Sequence, residues 1–440
     1  MASVSFYTLG CKLNHAETGT LARDFRGHDY EVVPFGEAAD VTVVNTCTVT
    51  EEADRKCRQI IRRALRANPD TFVIVTGCYA QLQPGEIAGI PGVDAVLGAQ
   101  EKFQLFSLIE QFSKQEQTQV AVSCIDEATH FGPAYSAGER TRAFLKVQDG
   151  CDYSCAFCTI PLARGKSRSQ SIEATVAQAH DIVARGFKEI VLSGVNIGLY
   201  GQDNGASLLD LLAQLDRVEG VARYRISSIE PNLLTNEIIR FVADSRRFQP
   251  HFHLPLQSGD NEVLGKMRRR YRRERYADRV ATIKTLMPDA CIGVDVIVGF
   301  PAETNEWFEN TYAFIHELPV SYLHVFTYSE RPNTVAVDQL DRMGGTPVPK
   351  HERSRRNRML RILSEKKQRA FYEAHRGDVR PVLWEGSAKS GVMVGFTDNY
   401  VKVERPFDAD RVGTIEEVRL GELTANGFVA AEDAAFVSLL

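Results

Sequence analysis

Three cysteines lie within eight residues in the run Cys151-Asp-Tyr-Ser-Cys155-Ala-Phe-Cys158. A C-x3-C-x2-C spacing lets three thiolates wrap one small inorganic core. A structural zinc site usually takes four protein ligands, often as two C-x2-C pairs. No fourth Cys or His lies nearby. An iron–sulfur cube held by three cysteines leaves one iron open for another ligand. Electron carriers normally close every iron with cysteine, so the missing ligand points to chemistry at the open iron. Zinc, or burial of the thiols in a core, are the alternatives.

Three further cysteines come together only once strands are placed. Ser3–Leu9, Val41–Thr46 and Phe72–Thr76 read as strands, and they run into Cys11, Cys47 and Cys78. Short β-branched runs of this kind suit a buried parallel sheet. The cysteines are spaced by 36 and 31 residues, about one βα unit each. In such sheets the strand C-termini share one edge, where ligands bind. The three thiols are therefore expected to converge. Cys57, Cys124 and Cys291 have no matching partners and are expected to be structural, as small buried hydrophobes. Nine cysteines in a chain whose first residues, MASVSFYTLG, lack a secretory pattern are expected to stay reduced.

The elements around these residues predict an α/β protein in three parts. Residues 1–125 alternate strands and helices and predict an open α/β sheet. Residues 126–139 carry turn formers without periodicity and read as a linker. From Arg140 to about 348 the alternation resumes as a partial (β/α)6 barrel. Its strands are expected at Arg142–Val147, Glu189–Leu192, Arg223–Ser227, His251–Leu256, Gly293–Val298 and Tyr322–Thr327. A parallel barrel places its chemistry on the loops after its strands, and the C-x3-C-x2-C run is the first such loop. The other strand ends carry Ser193, Gly194, Asn196, Glu230, Gln257 and Gly299. These small and polar residues suggest a cofactor cradle. A basic helix is expected within 349–377. Residues 378–440 turn β-rich, with five short strands that suit a small closed β-barrel, an architecture used for nucleic-acid binding.

Composition fits this picture. Hydrophobic residues make up 44% of the chain and charged residues 25%, which excludes a mainly disordered or collagen-like chain. No apolar run approaches the ~18 residues of a spanning helix, so no membrane partner and a cytoplasmic location are expected. Net charge is −5, but Lys266–Arg279 carries a local +6 and Lys350–Arg369 a local +7. Two concentrated basic stretches in an acidic chain are suited to holding a polyanion.

These residues resemble a known family. Cys151–Cys158, with Phe157 between the last two cysteines, is similar to the radical S-adenosylmethionine signature. The following Thr-Ile-Pro-Leu-Ala-Arg-Gly-Lys-Ser-Arg-Ser (159–169) narrows the resemblance to the methylthiotransferases. Cys11, Cys47 and Cys78 match that family's auxiliary cluster domain, and the C-terminal segment resembles its TRAM domain. Thr8-Leu-Gly-Cys-Lys-Leu-Asn14, His253-Leu-Pro-Leu-Gln-Ser-Gly259 and Val325-Phe-Thr-Tyr-Ser-Glu-Arg-Pro332 are most similar to the threonylcarbamoyladenosine branch. The other branches act on isopentenyladenosine 37 of tRNA or on an aspartate of a small-subunit ribosomal protein.

The resemblance implies two [4Fe–4S] clusters and S-adenosylmethionine. Cys151, Cys155 and Cys158 would hold the cluster that cleaves S-adenosylmethionine to a 5′-deoxyadenosyl radical. That radical would take hydrogen from C2 of adenosine 37. Cys11, Cys47 and Cys78 would hold the cluster that carries or supplies sulfur. Phe157 would touch the cofactor adenine, with Ser193, Gly194, Asn196, Glu230, Gln257 and Gly299 around it. Arg164 and Arg168 would contact the cofactor carboxylate or an RNA phosphate. Arg355, Arg356 and Arg358 would bind the tRNA anticodon stem-loop. A flavodoxin-like or ferredoxin-like electron donor is expected, and the sulfur donor is not indicated. A non-catalytic iron–sulfur RNA-binding protein is the alternative from another class, disfavoured by the open three-cysteine site.

Overall fold

A computed structural model describes residues 1–48, 50–114, 116–136, 141–338, 340, 346–389 and 391–433. Parts of the expected linker (137–139) and of the expected C-terminal barrel (390 and 434–440) lie outside them.

The N-terminal sheet contains β1 (Ser3–Thr8), β2 (Glu31–Val33), β3 (Val41–Thr46), β4 (Phe72–Gly77), β5 (Ala95–Leu97) and β6 (Gln119–Ala121). All pairings are parallel, in the order β2-β1-β3-β4-β5-β6. Every residue of β3 and β4 is buried, because helices cover both faces; hence their unbroken apolar, β-branched sequences. The chain turns back between β1 and β3, the kind of switch point where ligands bind in open α/β sheets. Cys11 and Cys47 flank it.

Part of the expected linker is packed structure. β7 (Ala134–Tyr135) pairs antiparallel with β8 (Arg142–Lys146). Arg23, on the helix Lys12–Gly27, donates to the Tyr135 carbonyl at 2.8 Å and its guanidinium lies 3.7 Å from that ring's centroid. Two residues are too few to show strand alternation in sequence.

The central part adds β9 (Gln148–Asp149), β10 (Arg168–Ser169), β11 (Glu189–Ser193), β12 (Arg223–Ile226), β13 (His251–Gln257), β14 (Cys291–Val298) and β15 (Tyr322–Thr327). β8, β11 and β12 are parallel neighbours, as are β13, β14 and β15. Isolated bridges Tyr224–Phe248 and Ser228–His253 join the two groups. The six strands form a partial barrel, each within about two residues of its expected position. The N-terminal unit spans the gap between its edges. Helix Lys12–Gly27 packs on β7 and β8, while Arg331, just beyond β15, donates to Thr48 at 2.7 Å and Asp54 at 2.6 Å.

Helix Lys350–Ala374 leads to a closed barrel of β16 (Val379–Lys389), β17 (Val392–Thr397), β18 (Lys402–Pro406), β19 (Ile415–Leu423) and β20 (Val429–Asp433). Val382, Trp384, Met393, Val403, Val418 and Leu420 fill it. This small barrel docks on the N-terminal end of the larger one. Arg223 donates to the carbonyls of Phe396 (3.1 Å) and Pro381 (2.7 Å), and Arg225 to those of Asp398 and Thr397 (both 2.7 Å). Tyr400 stacks on His251 with centroids 4.1 Å apart. No helix of the described residues is long and apolar enough to cross a membrane.

Candidate active site

Cys11 is the N-cap of helix Lys12–Gly27, Cys47 follows β3, and Cys78 opens the short helix Cys78–Leu82. Two glycines set this geometry. Gly10 has φ +101° and Gly77 +97°, a region that favours glycine. A Cβ on Gly10 would lie 2.7 Å from Cys47 Cβ, and one on Gly77 would lie 2.4 Å from the Thr46 carbonyl oxygen. The strand ends therefore approach closely, as expected. Asn14 laces them together, donating from Nδ2 to the carbonyls of Leu9 (2.7 Å) and Thr46 (2.9 Å). Asn45 donates to the Asn14 carbonyl at 3.0 Å, and Thr46 to that of Thr76 at 2.6 Å. Sequence reasoning missed these three residues; the signal for Asn45 and Thr46 was polar side chains ending an otherwise apolar strand, and for Asn14 a buried polar residue in the first turn of the helix after Cys11.

Cys151, Cys155 and Cys158 are partly buried on the loop after β9. The Tyr153 and Ile160 amides point at Cys151 and Cys158 Sγ, each at 3.5 Å. Arg269 Nη1 donates to Cys155 Sγ at 3.0 Å, and Arg269 pairs with Glu230. Burial pushes the Cys158 thiol up to about 12 and the Cys151 thiol up to about 11. Burial also raises Cys155, against the nearby Arg269. Three clustered thiols that resist ionisation alone fit a site completed by a cationic core, which supplies the missing charge on binding. Asn196 is buried, and its side chain hydrogen-bonds to Cys151, lowering that thiol against the effect of burial.

A cavity of about 220 Å³ opens against Cys158. Phe157, Gln257, Asp295, Tyr328 and Ser329 line it from the large barrel, and Thr50 from the N-terminal unit. It lies where the two units meet. Helix Cys78–Leu82 also packs on helix Ile160–Arg164, which follows Cys158. The two triads are thus carried by elements in contact.

The other expected contacts sort differently. Phe157 and Gln257 line the cavity, Asn196 stands beside Cys151, and Glu230 reaches Cys155 through Arg269. Ser193 is buried, with its hydroxyl donating to the Val191 carbonyl at 3.3 Å. Gly194 sits under Gln148, whose Oε1 would be 2.9 Å from a Cβ there. Gly299 belongs elsewhere: a Cβ would meet Arg353 Cγ at 2.3 Å, so this glycine makes room for helix Lys350–Ala374.

Arg164 touches neither the cavity nor solvent. It donates to Asn14 (2.6 Å), Glu17 (2.9 Å) and Asp149 (2.9 Å). Lys102 and Lys146 also pair with Glu17, at 2.6 and 3.1 Å. Arg168 is buried too, 3.8 Å from Asp149. These side chains form an ionic knot between the N-terminal unit and the large barrel. Arg356 is likewise internal, paired with Glu303 at 2.6 Å and Glu352 at 2.9 Å. Arg355 and Arg358 are exposed, and Arg355 pairs with Glu352. Cys57 and Cys291 are core residues, but Cys124 is exposed.

Comparisons with known proteins agree with this architecture. Residues 3–98 match the uncharacterized protein family UPF0004, and residues 145–315 the radical SAM superfamily. The chain is 43% identical to the threonylcarbamoyladenosine tRNA methylthiotransferase MtaB of Bacillus subtilis (strain 168), over 96% of this chain and 94% of that one. It is 33% identical to the tRNA-2-methylthio-N(6)-dimethylallyladenosine synthase of Symbiobacterium thermophilum, covering 95% and 91%. Among solved structures it resembles the radical S-adenosylmethionine methyltransferase TsrM of Kitasatospora setae, with cobalamin and [4Fe–4S] cluster bound. That likeness has a TM-score of 0.57 at 15% identity over 77% and 78% of the chains, and concerns the fold. With two cysteine triads on units in contact and full-length identity to named members, the chain belongs to the radical S-adenosylmethionine methylthiotransferases.

Proposed function

We propose that this enzyme methylthiolates C2 of N6-threonylcarbamoyladenosine at position 37 of tRNA. The observation that carries the reading is the cavity between Cys158 and Thr50, in a chain sharing 43% identity with a threonylcarbamoyladenosine enzyme and 33% with a dimethylallyladenosine one. Cys151, Cys155 and Cys158 hold one [4Fe–4S] cluster and Cys11, Cys47 and Cys78 the other. When bound, the clusters and S-adenosylmethionine supply one-electron cleavage, hydrogen abstraction and sulfur, which polar side chains cannot provide at an adenine C2. The chain itself supplies placement. Arg269 neutralises charge at Cys155, Asn196 hydrogen-bonds to Cys151, and Phe157 and Tyr328 keep water from the cavity. The reaction needs a one-electron donor of flavodoxin-like or ferredoxin-like type, a sulfur source, and the cytoplasmic tRNA pool.

Anaerobically reconstituted enzyme should convert threonylcarbamoyladenosine 37 of a transcript-derived tRNA to its 2-methylthio form, read by nucleoside mass spectrometry. Without Cys11, Cys47 and Cys78 it should still cleave S-adenosylmethionine but form no product. Without the C-x3-C-x2-C triad it should do neither. Conversion of dimethylallyladenosine tRNA alone would move the enzyme to that branch.

A further inference from the structure

The interior of the large barrel, below the cavity, carries an array of polar side chains that hydrogen abstraction does not require. Side chains along a strand alternate between faces. Asp295 on β14 lies opposite His324 on β15 in the register, and His253 is on β13. His253 Nε2 is 2.8 Å from Asp295 Oδ1. The rings of His253 and His324 stack with centroids 5.3 Å apart. One ligand atom from each of His253, Asp295 and His324 lies within 4.8 Å of the others. His324 is exposed, and Asp295 reaches the cavity wall that holds Phe157 and Cys158.

Lys12 enters this array from the N-terminal unit, directly after Cys11. Burial lowers its ammonium, Tyr400 and Asp295 act against that, and its charge in turn helps lower His324. The other cations nearby have partners. Arg142 pairs with Glu385 at 2.8 Å, and Arg225 with Glu189 at 2.9 Å plus two carbonyls. Lys12 has no hydrogen-bond or ion-pair partner among the described residues. A His-Asp-His group could ligate a divalent cation, but Lys12 and Arg142 beside it make a further positive charge unfavourable. The field suits an anion next to a hydroxyl-accepting carboxylate.

We propose that Lys12, His324 and the His253–Asp295 pair form the subsite for the N6 substituent of the target adenosine, and thereby select a carboxylate-bearing base. This rests on the function proposed above. A threonylcarbamoyl group carries one carboxylate and one hydroxyl. The carboxylate accepts from Lys12 Nζ and a His324 ring N–H, and the hydroxyl donates to Asp295. A dimethylallyl group offers neither, and would leave Lys12 desolvated without a partner. The subsite lies beneath Cys158, so a substituent reaching into it keeps the adenine in the cavity beside the radical site.

Binding tests this without turnover. Anticodon stem-loops bearing threonylcarbamoyladenosine, dimethylallyladenosine or plain adenosine at position 37 are titrated against the reconstituted holoenzyme by fluorescence anisotropy. Wild type should prefer the threonylcarbamoyl loop over the plain one by about 10- to 100-fold, the range of a charge-assisted hydrogen bond or two. Lys12→Met and His324→Phe should each bring that ratio toward one with little change for the plain loop, and Lys12→Arg should keep part of it. Iron is counted in each variant. If Lys12→Met loses iron through its neighbour Cys11, His324→Phe carries the test, since no cysteine adjoins it in sequence. An undiminished ratio in an iron-replete His324→Phe variant overturns the subsite. So does a wild type that methylthiolates threonylcarbamoyl tRNA yet binds all loops alike; that result leaves the function standing. A wild type that produces only methylthio-dimethylallyladenosine removes the function itself.

Discussion

The thiol of Cys158, pushed up to about 12 by burial, and that of Cys151, at about 11, are protonated at neutral pH when no cluster is bound. Cluster assembly must therefore release protons, and its affinity should rise with pH. The sign is fixed by the raised values: between pH 7 and 9 both thiols remain below their own pKa, so each step upward lowers the cost of ionising them. Iron loading of the C-x3-C-x2-C site, followed by absorbance in a variant lacking Cys11, Cys47 and Cys78, should increase over that range. In the apo-protein Cys11, which is exposed, should react with iodoacetamide at neutral pH far faster than Cys158. Equal labelling of the two in peptide mass spectra would contradict the burial described. The iron count makes the matching statement for the holoenzyme: removing either triad should leave about half the iron, since one of two thiolate-held sites is removed. A full iron load without the N-terminal triad would deny that site its cluster.

Helix Lys350–Ala374 shows where charge density in a sequence misleads. Its local +7 suggests one RNA-binding face through Arg355, Arg356 and Arg358. Arg353 and Arg356 are in fact buried, on the same side as Leu360 and Leu363. The spacing 353, 356, 360, 363 is the i, i+3, i+7 period of one helix face, so the pattern is present but hidden by the charges. Arg358, Arg361 and Lys366 remain exposed. Reversing Arg358 and Arg361 to Glu should weaken tRNA binding and flatten its salt dependence by about 0.7–0.9 in log–log slope for each phosphate no longer neutralised. Arg356→Glu should instead unfold or destabilise the protein by roughly 3–5 kcal/mol, because Glu303 is left buried without its partner. Binding isotherms at several salt concentrations, with melting curves, separate the two. An unchanged slope in a folded Arg358→Glu, Arg361→Glu variant would take this helix out of the RNA site. Strands were far more legible than this helix. Residues of β3, β4, β13 and β14 are buried almost throughout, so their apolar runs carry the fold in plain view. Six cysteines at strand ends were legible for the same reason. Arg164 was not, because its partners Asn14 and Glu17 lie on a distant part of the chain and no local pattern joins them.

At the scale of the whole molecule, the ionic knot holds the two cysteine-bearing units in one register. Glu17 comes from the N-terminal unit, and Arg164, Lys146 and Asp149 from the barrel, all nearly without solvent exposure. Burial opposes ionisation of Glu17, but Arg164, Lys102 and Lys146 outweigh it and hold this carboxyl well below the usual carboxylate range. Asp149 is lowered in the same way, by Lys146 and Arg164 against burial. A carboxylate depressed in the folded state contributes stability above its unfolded pKa, about 4. That contribution disappears as pH falls toward the folded value. The knot should thus stabilise the protein fully at pH 7 and weaken progressively below about pH 4. Glu17→Gln removes the shared anion and leaves Lys102 and Arg164 short of a partner, which should cost roughly 3–5 kcal/mol at pH 7. The gap between wild type and variant, measured by urea unfolding of the apo-protein, should narrow as the solution is acidified. Proteolysis should also find the segment between the two units sooner in the variant, since β7 and helix Lys12–Gly27 would part from β8. A gap under ~1 kcal/mol that does not change with pH would show that apolar packing of helix Lys12–Gly27 on β8, and not the knot, sets the relation of the two triads.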